Sequence, residues 1–173
     1  MWYVLQVKTG DEIKVRDALK GKGVRALVPQ EDRIVRKDGK WGRRLYTLIP
    51  SYVFVHIKFA AEIYYTIRAI PSVIRFVGTG YGDPSTLSYL EAEWIRLLAG
   101  DGEPLEPTVI RVPEDGRPEI IGGVLAHFPA QVVEYDLRHK RAKVAISICG
   151  EQRELQLSVV REDEDTGQEP DPI

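Results

Sequence analysis

The chain has 173 residues, 43% of them apolar and 29% charged, the balance of a globular protein and not of a disordered or fibrous one. No apolar run approaches the roughly 18 to 20 residues of a membrane span, no signal-like segment opens the chain, and the one cysteine, Cys149, has neither a disulfide partner nor zinc-ligand neighbours. A cytoplasmic protein without membrane contact is therefore expected. The net charge of −2 is uneven: six of the 26 acidic residues lie in the last twelve positions without one Lys or Arg, which leaves 20 acidic against 24 basic residues, about +4, in residues 1–161. A mildly basic body permits contact with nucleic acid.

In chain order, Trp2–Lys8 reads as a strand, β-branched and aromatic. Thr9-Gly-Asp-Glu12 has the spacing of a capping box, ahead of a short amphipathic helix carrying Ile13, Val15, Ala18 and Leu19 and closed by Gly21 and Gly23. Arg25–Pro29 suits a short strand. Asp38-Gly39, between polar flanks, signals a tight two-residue hairpin turn. Leu45–Phe59 is the longest strand-like run. Ile63–Ile70 fits a second helix ended by Pro71, and Val73–Val77 a strand. After the turn-rich Gly78–Pro84, Ser88-Tyr-Leu-Glu91 forms another capping box for a helix whose apolar face is Leu90, Trp94, Leu97 and Leu98.

That order predicts an α+β fold with an N-terminal antiparallel sheet and flanking helices over residues 1–100. Residues 101–118, with four prolines, read as a linker. From 119 to 161 no helical period is evident. Val124-Leu125, Gln131–Tyr135, Ala142–Ile148 and Glu154–Val160 are short strand candidates, as in a small β-barrel. The acidic tail 162–173 should be disordered.

Several motifs in this order resemble the NusG family of transcription elongation factors. They are Trp2-Tyr3-Val4, the Gly10-Asp11-Glu12 helix start, Ile49-Pro50-Ser51-Tyr52-Val53 and Pro71-Ser72-Val73-Ile74-Arg75-Phe76-Val77-Gly78, followed by Gly123–Phe128 and the stretch from Val132 to Gly150. The resemblance implies an NGN-type domain followed by a KOW barrel. Ser51 and Ala130 stand where the family has Gly, and Leu125 and Cys149 stand where NusG itself has aromatics used to bind a ribosomal protein or the termination factor Rho. Compactness, the short first domain and the divergent barrel suggest a specialised paralogue similar to the LoaP or RfaH branches, processive antiterminators on selected operons, with LoaP the nearer.

The resemblance implies a monomer whose first domain receives the β′ clamp helices of RNA polymerase. Trp2, Tyr3, Ile49, Tyr52 and Phe54 would line that apolar groove. All five also suit a sheet core; as a groove, Tyr3, Ile49 and Tyr52 should stay partly exposed and Val4, Val53 and Val55 be buried. The hairpin carries Arg33, Arg36, Lys37, Lys40, Arg43 and Arg44 with Trp41 beside its turn, a cluster able to neutralise phosphates and stack on a base, and Arg36, Lys37, Lys40, Arg43 and Arg44 are candidate DNA-binding residues; a simple solvated hairpin is the alternative. Lys8, Thr9, Lys14 and Arg16 lie where specialised family members touch the non-template DNA strand.

Arg138, His139, Lys140, Arg141 and Lys143, with Arg153 on the following strand, form the densest basic cluster of the second domain and a candidate edge for a nascent RNA hairpin. His127, Phe128 or Tyr135 would add stacking. A solvated charged turn is the alternative. Nothing resembles a catalytic constellation: the three histidines are scattered and no nucleophile motif or phosphate-cradling loop occurs, so neither an enzyme nor a cofactor is expected. The rival function is that of a KOW-containing RNA-binding protein of the translation apparatus.

Overall fold

The structure, a computed structural model, describes residues 1–78 and 83–163. Part of the expected 78–84 turn, and the expected disordered tail from residue 164 on, lie outside the described residues. In chain order the elements are β1 (Trp2–Val7), α1 (Glu12–Gly21), β2 (Arg25–Leu27), β3 (Gln30–Lys37), β4 (Lys40–Thr47), β5 (Tyr52–His56), α2 (Ala61–Arg68), β6 (Val73–Phe76), α3 (Tyr89–Leu98), β7 (Thr108–Arg111), β8 (Glu119–Gly122), β9 (Val132–Asp136), β10 (Arg141–Ile148) and β11 (Glu151–Arg161). They fall into two compact units. The first comprises Met1–Pro29, Ile49–Gly102 and Ser147–Glu151, and the second Gln30–Leu48, Glu103–Ile146 and the chain from Gln152. The β3–β4 hairpin thus belongs to the second unit, although in sequence it lies within residues 1–100.

In the first unit, four strands form an antiparallel sheet in the order β2-β5-β1-β6. Strand alternation places Tyr3, Leu5 and Val7 with Val53 and Val55 on one face. There they share a core with Val15 and Leu19 of α1 and with Ile67 of α2. Each such side chain contributes on the order of 1.5–3 kcal/mol by leaving water. The expected long strand 45–59 is two strands, because Ser51 adopts a left-handed φ of 71° and turns the chain between β4 and β5.

Helix starts divide the two expected capping boxes. Ser88 and Glu91 make theirs reciprocally at α3. At α1 the box does not form: Asp11 is the N-cap but its carboxylate accepts the Ser72 hydroxyl and makes no capping bond, and the buried Glu12 carboxylate accepts the Gly10 N–H at 3.0 Å and the Ser51 N–H at 2.8 Å. The buried face of α3 is also shifted from expectation. Glu91, Trp94, Ile95 and Leu98 are buried while Leu90 is exposed. Glu91 turns inward because every bond it needs is there: its carboxylate accepts from the Ser88 N–H, the Ser147 hydroxyl and the Gly150 N–H.

The second unit contains a five-stranded sheet, ordered β8-β7-β11-β10-β9, with β7 and β11 parallel, and the two-stranded hairpin β3–β4. The segment expected as a linker contributes β7, whose Thr108-Val-Ile-Arg111 run has the β-branched content of a strand. Val124-Leu125, expected as a strand, lies in a 3-10 turn from Val124 to His127. Gly123 before it has φ 97° and ψ −177°, a conformation essentially confined to glycine, which breaks the extended run. Ala142, Val144, Ile146 and Ile148 alternate inward along β10, as Leu155, Leu157 and Val159 do on β11. Among the described residues no helix is long and apolar enough to cross a membrane.

Candidate functional site

Two candidate surfaces emerge, one on each unit. On the first, strand register arranges in rows the sheet face that carries the even-numbered residues of β1 and β5. Arg25, His56 and Trp2 lie side by side across β2, β5 and β1; Leu27, Phe54 and Val4 form the next row; Tyr52, Gln6 and Arg75 form the third, across β5, β1 and β6. The middle row is sealed at Val4 and Phe54, both 0% exposed. Trp2 and Tyr52, in the outer rows, remain half-buried.

Exposure therefore divides the five expected groove residues. Tyr3 is 7% exposed and Ile49 3%, so neither is the partly open side chain expected. Tyr3 is odd-numbered on β1 and faces the helix-backed core with Leu5 and Val7. Phe54 lies on an inner strand, paired with Val4 on one side and Leu27 on the other, and has no free flank. Val4, Val53 and Val55 are buried as expected.

Sequence reasoning missed what surrounds Trp2. The Arg25 guanidinium lies 5.2 Å from the Trp2 ring centre, and the His56 ring 5.0 Å away. Only strand register brings these three together, so no local signal announces them. Burial, then the Met1 ammonium and Arg25, hold the His56 imidazole below its ordinary value, which favours the neutral ring. A hollow beside this row is lined by Met1, Tyr3, His56, Ile57, Lys58 and Phe59. Phe59 continues into an aromatic cluster with Tyr3, Tyr64 and Phe76 at ring separations of 5.3 to 6.3 Å.

The first-unit basic candidates are dispersed in role. Lys8, Thr9 and Lys14 are exposed. Arg16 pairs with Asp17 at 3.1 Å, and the Thr9 hydroxyl bonds that of Ser51.

The second surface is built on the hairpin and the β9–β10 turn. The turn of the hairpin is Asp38-Gly39, both at positive φ, between paired Lys37 and Lys40, as its sequence predicts. Arg36 and Trp41 face each other across the strands. Arg36, Lys37, Lys40 and Arg44 are exposed. Arg43 differs from them: it is half-buried and ion-paired to Asp32 at 3.2 Å and to Glu106, so its charge is already neutralised. Burial acts to lower its pKa, but the bonds from those two carboxylates prevail and raise it.

At the β9–β10 turn, Arg138 is exposed and His139 donates its backbone N–H to Asp136, with its ring Nδ1 2.7 Å from that carboxylate. Those bonds hold the Asp136 carboxyl below its ordinary range. Lys143 reaches Glu134 at 3.4 Å. Arg141 is half-buried and donates to the Ser158 hydroxyl and the Lys140 carbonyl. Burial first, then repulsion from Arg33, lowers its pKa. Arg153 is half-buried, and His127 is exposed on its 3-10 turn. Of the three expected stacking residues, Phe128 is buried at 6% exposure and unavailable, because the turn folds it inward beside Leu125.

The structure joins what the sequence kept apart: the Lys140 ammonium lies 5.3 Å from the Trp41 ring centre, and Arg36 approaches the same ring at 5.9 Å. Arg33 and Arg44 approach Tyr46 at 4.6 and 5.5 Å. Residue spacing could suggest the Arg36–Trp41 pair across the turn, but nothing local pairs position 41 with position 140. Among the described residues no group of three or more His, Cys, Asp or Glu is placed to hold a metal ion.

Known proteins agree with this architecture. Residues 1–96 match the family model for transcription termination factor NusG. Transcription termination/antitermination protein NusG of Vibrio vulnificus is 30% identical over 90% of this chain and 91% of its own length. The proteins of that name from Helicobacter pylori and Bacillus subtilis are each 29% identical, covering 90% and 94% of this chain and 93% and 97% of their own. The solved structure of Thermotoga maritima NusG superposes with a TM-score of 0.55 at 25% identity, over 91% of this chain and 92% of that one. The mixed α+β architecture, a helix-backed N-terminal sheet and a KOW-like C-terminal sheet, is the one that structure has. The chain belongs to the NusG family of transcription termination/antitermination proteins.

Proposed function

We propose that the protein is a specialised NusG-type elongation factor that binds RNA polymerase through the open ends of its first sheet and acts as a processive antiterminator. The observation that carries the reading is the exposure pattern of the sheet face that carries Trp2 and Tyr52. Trp2 and Tyr52 stay half-buried on either side of the sealed Val4–Phe54 row, and a hollow lined by Met1, His56 and Phe59 lies at the Trp2 end. Large aromatic side chains at a rigid sheet face are the groups that anchor a partner helix. The clamp helices of the polymerase β′ subunit are the proposed partner, and the cytoplasm the proposed compartment.

Such a factor works by binding one state of the polymerase better than another, disfavouring the paused state by its differential affinity. The basic β9–β10 turn, with Arg138 and Lys140, would hold a nascent RNA hairpin. Two modest contacts on one chain raise each other's effective concentration, so operon selectivity needs neither to be tight alone. The non-template DNA strand is a further proposed contact, through Lys8 and Lys14.

Transcription in vitro across a terminator, with and without its upstream RNA leader, tests the reading. Read-through that depends on both the protein and the leader is expected, and Trp2→Ala or Tyr52→Ala should abolish it together with polymerase capture. Co-sedimentation with ribosomes and indifference to polymerase would overturn it in favour of a translation role.

A further inference from the structure

The second unit carries a feature that neither element shows alone. Trp41, at the hairpin tip, is an exposed indole held between two cations from different parts of the chain, Arg36 across the hairpin and Lys140 from the β9–β10 turn. Lys37 and Lys40 at the hairpin turn and Arg138 at the β9–β10 turn are exposed. The relative placement of the two elements is fixed by bonds to β11. Glu31 accepts the Ser158 N–H at 2.8 Å, the Ile34 N–H donates to the Ser158 hydroxyl at 3.2 Å, and Arg141 donates to that same hydroxyl at 3.2 Å.

We propose that the hairpin tip and the β9–β10 turn form one binding site for an unpaired polynucleotide strand, in which a base stacks on Trp41 while Arg36 and Lys140 take the flanking phosphates. The inference extends the RNA contact proposed above for the turn. Three physical points carry it. The exposed Arg36 contact with the Trp41 ring at 5.9 Å is weak, and exchanging it for a charge-assisted bond to phosphate is favourable. The faces of bases are hidden within a duplex and available only on a strand without a partner, so a solvent-exposed indole among cations selects the single strand. The site rests on a sheet-anchored hairpin, so the strand meets a preformed platform and little ordering is needed on binding.

The test is titration of the full-length protein with a twelve-nucleotide oligouridine and its oligothymidine counterpart, following tryptophan fluorescence. The Trp41 signal is the part of the quenching lost in Trp41→Phe, a variant that should still bind a labelled strand because phenylalanine also stacks. Lys140 has a left-handed φ of 56°, so Lys140→Asn removes the charge with a residue that tolerates that backbone. It should shift the Trp41 quenching curve three- to tenfold to higher concentration and reduce the salt slope by about 0.7, one phosphate contact on a single strand. Arg117→Gln, the loss of an exposed cation elsewhere in the same unit, should shift nothing. Tighter binding of the uridine strand supports the site with nascent transcript as its occupant, and tighter binding of the thymidine strand supports it with displaced DNA.

A quenching curve that Lys140→Asn leaves in place, while hairpin RNA binding weakens, would show two separate sites. That result overturns this inference and spares the RNA contact at the turn. Absence of Trp41 quenching by either strand also overturns it.

Discussion

The Glu31 carboxylate accepts the backbone N–H of Ser158 at 2.8 Å in a place almost free of solvent, with Glu31 1% and Ser158 0% exposed. The other oxygen of Glu31 accepts from the Arg33 Nε at 3.0 Å, and Arg33 itself donates onward to the Gln156 carbonyl. A buried carboxylate is tolerated only when its lone pairs are used, and here strand β11 and the hairpin's own arginine use them. Glu31→Ala leaves the Ser158 N–H and the Arg33 Nε–H without their acceptor and should destabilise the protein by about 2–3 kcal/mol. Glu31→Gln, which keeps an acceptor oxygen, should cost less than half of that. Urea midpoints of the two variants check the difference.

This relationship also marks the boundary of what the sequence discloses. The hairpin itself was legible, because Asp38-Gly39 encodes its turn within two residues. Its attachment was not, since Glu31 and Ser158 are separated by 127 positions and nothing local distinguishes Glu31 from a solvated strand residue. The same division runs through the candidate sites. The aromatic character of Trp2 and Tyr52 was readable, but which of the five apolar candidates stays open depends on strand order and on pairing such as Val4 with Phe54. Local signals also failed where a longer-range bond competed: Glu12 abandons the capping box for the Ser51 N–H.

Glycine positions separate steric need from mere convenience. At Gly123, with φ 97°, an added Cβ would come within 2.8 Å of the Thr108 Cα, and that contact is backbone and cannot move aside. Gly123→Ala should therefore cost more than about 2 kcal/mol, combining a glycine-only conformation with a clash. Gly150, with φ 82°, has open space around the same hypothetical atom. Gly150→Ala should cost only about 1 kcal/mol, the left-handed penalty alone. Thermal unfolding of both variants should reproduce that order.

The His56 shift implies a pH dependence of stability with a definite sign. Burial and then the nearby positive charges of Met1 and Arg25 depress its pKa in the folded protein, so between the folded and unfolded values the unfolded chain binds more protons. Stability is thus greatest with the ring neutral. It declines as pH falls below the ordinary histidine value of about 6.5 and levels off once the folded protein is protonated too. His56→Gln should flatten the change in urea midpoint between neutral and mildly acidic pH, and restoring the slope should require a titratable group at that position.

Glu12 connects the first helix to the strand that carries Tyr52. Its carboxylate takes the N–H groups of Gly10 and Ser51, and the Ser51 carbonyl in turn accepts the Val7 N–H at 2.8 Å, so the turn before β5 is fixed to both β1 and α1. Ser51 holds a left-handed φ of 71°, a conformation that a non-glycine residue keeps only when its surroundings impose it. Glu12→Ala removes the acceptor for two backbone donors at once and should lower stability by about 2 kcal/mol. Because Tyr52 follows directly on that turn, the same substitution should weaken polymerase capture by more than a surface change such as Lys20→Ala does. Glu12→Gln separates the two effects. Its amide oxygen can still accept the Ser51 N–H, so capture should recover toward wild type even if part of the stability loss persists. Equal capture by Glu12→Ala and the unmodified protein, measured below their unfolding temperatures, would mean that the orientation of Tyr52 does not depend on this carboxylate.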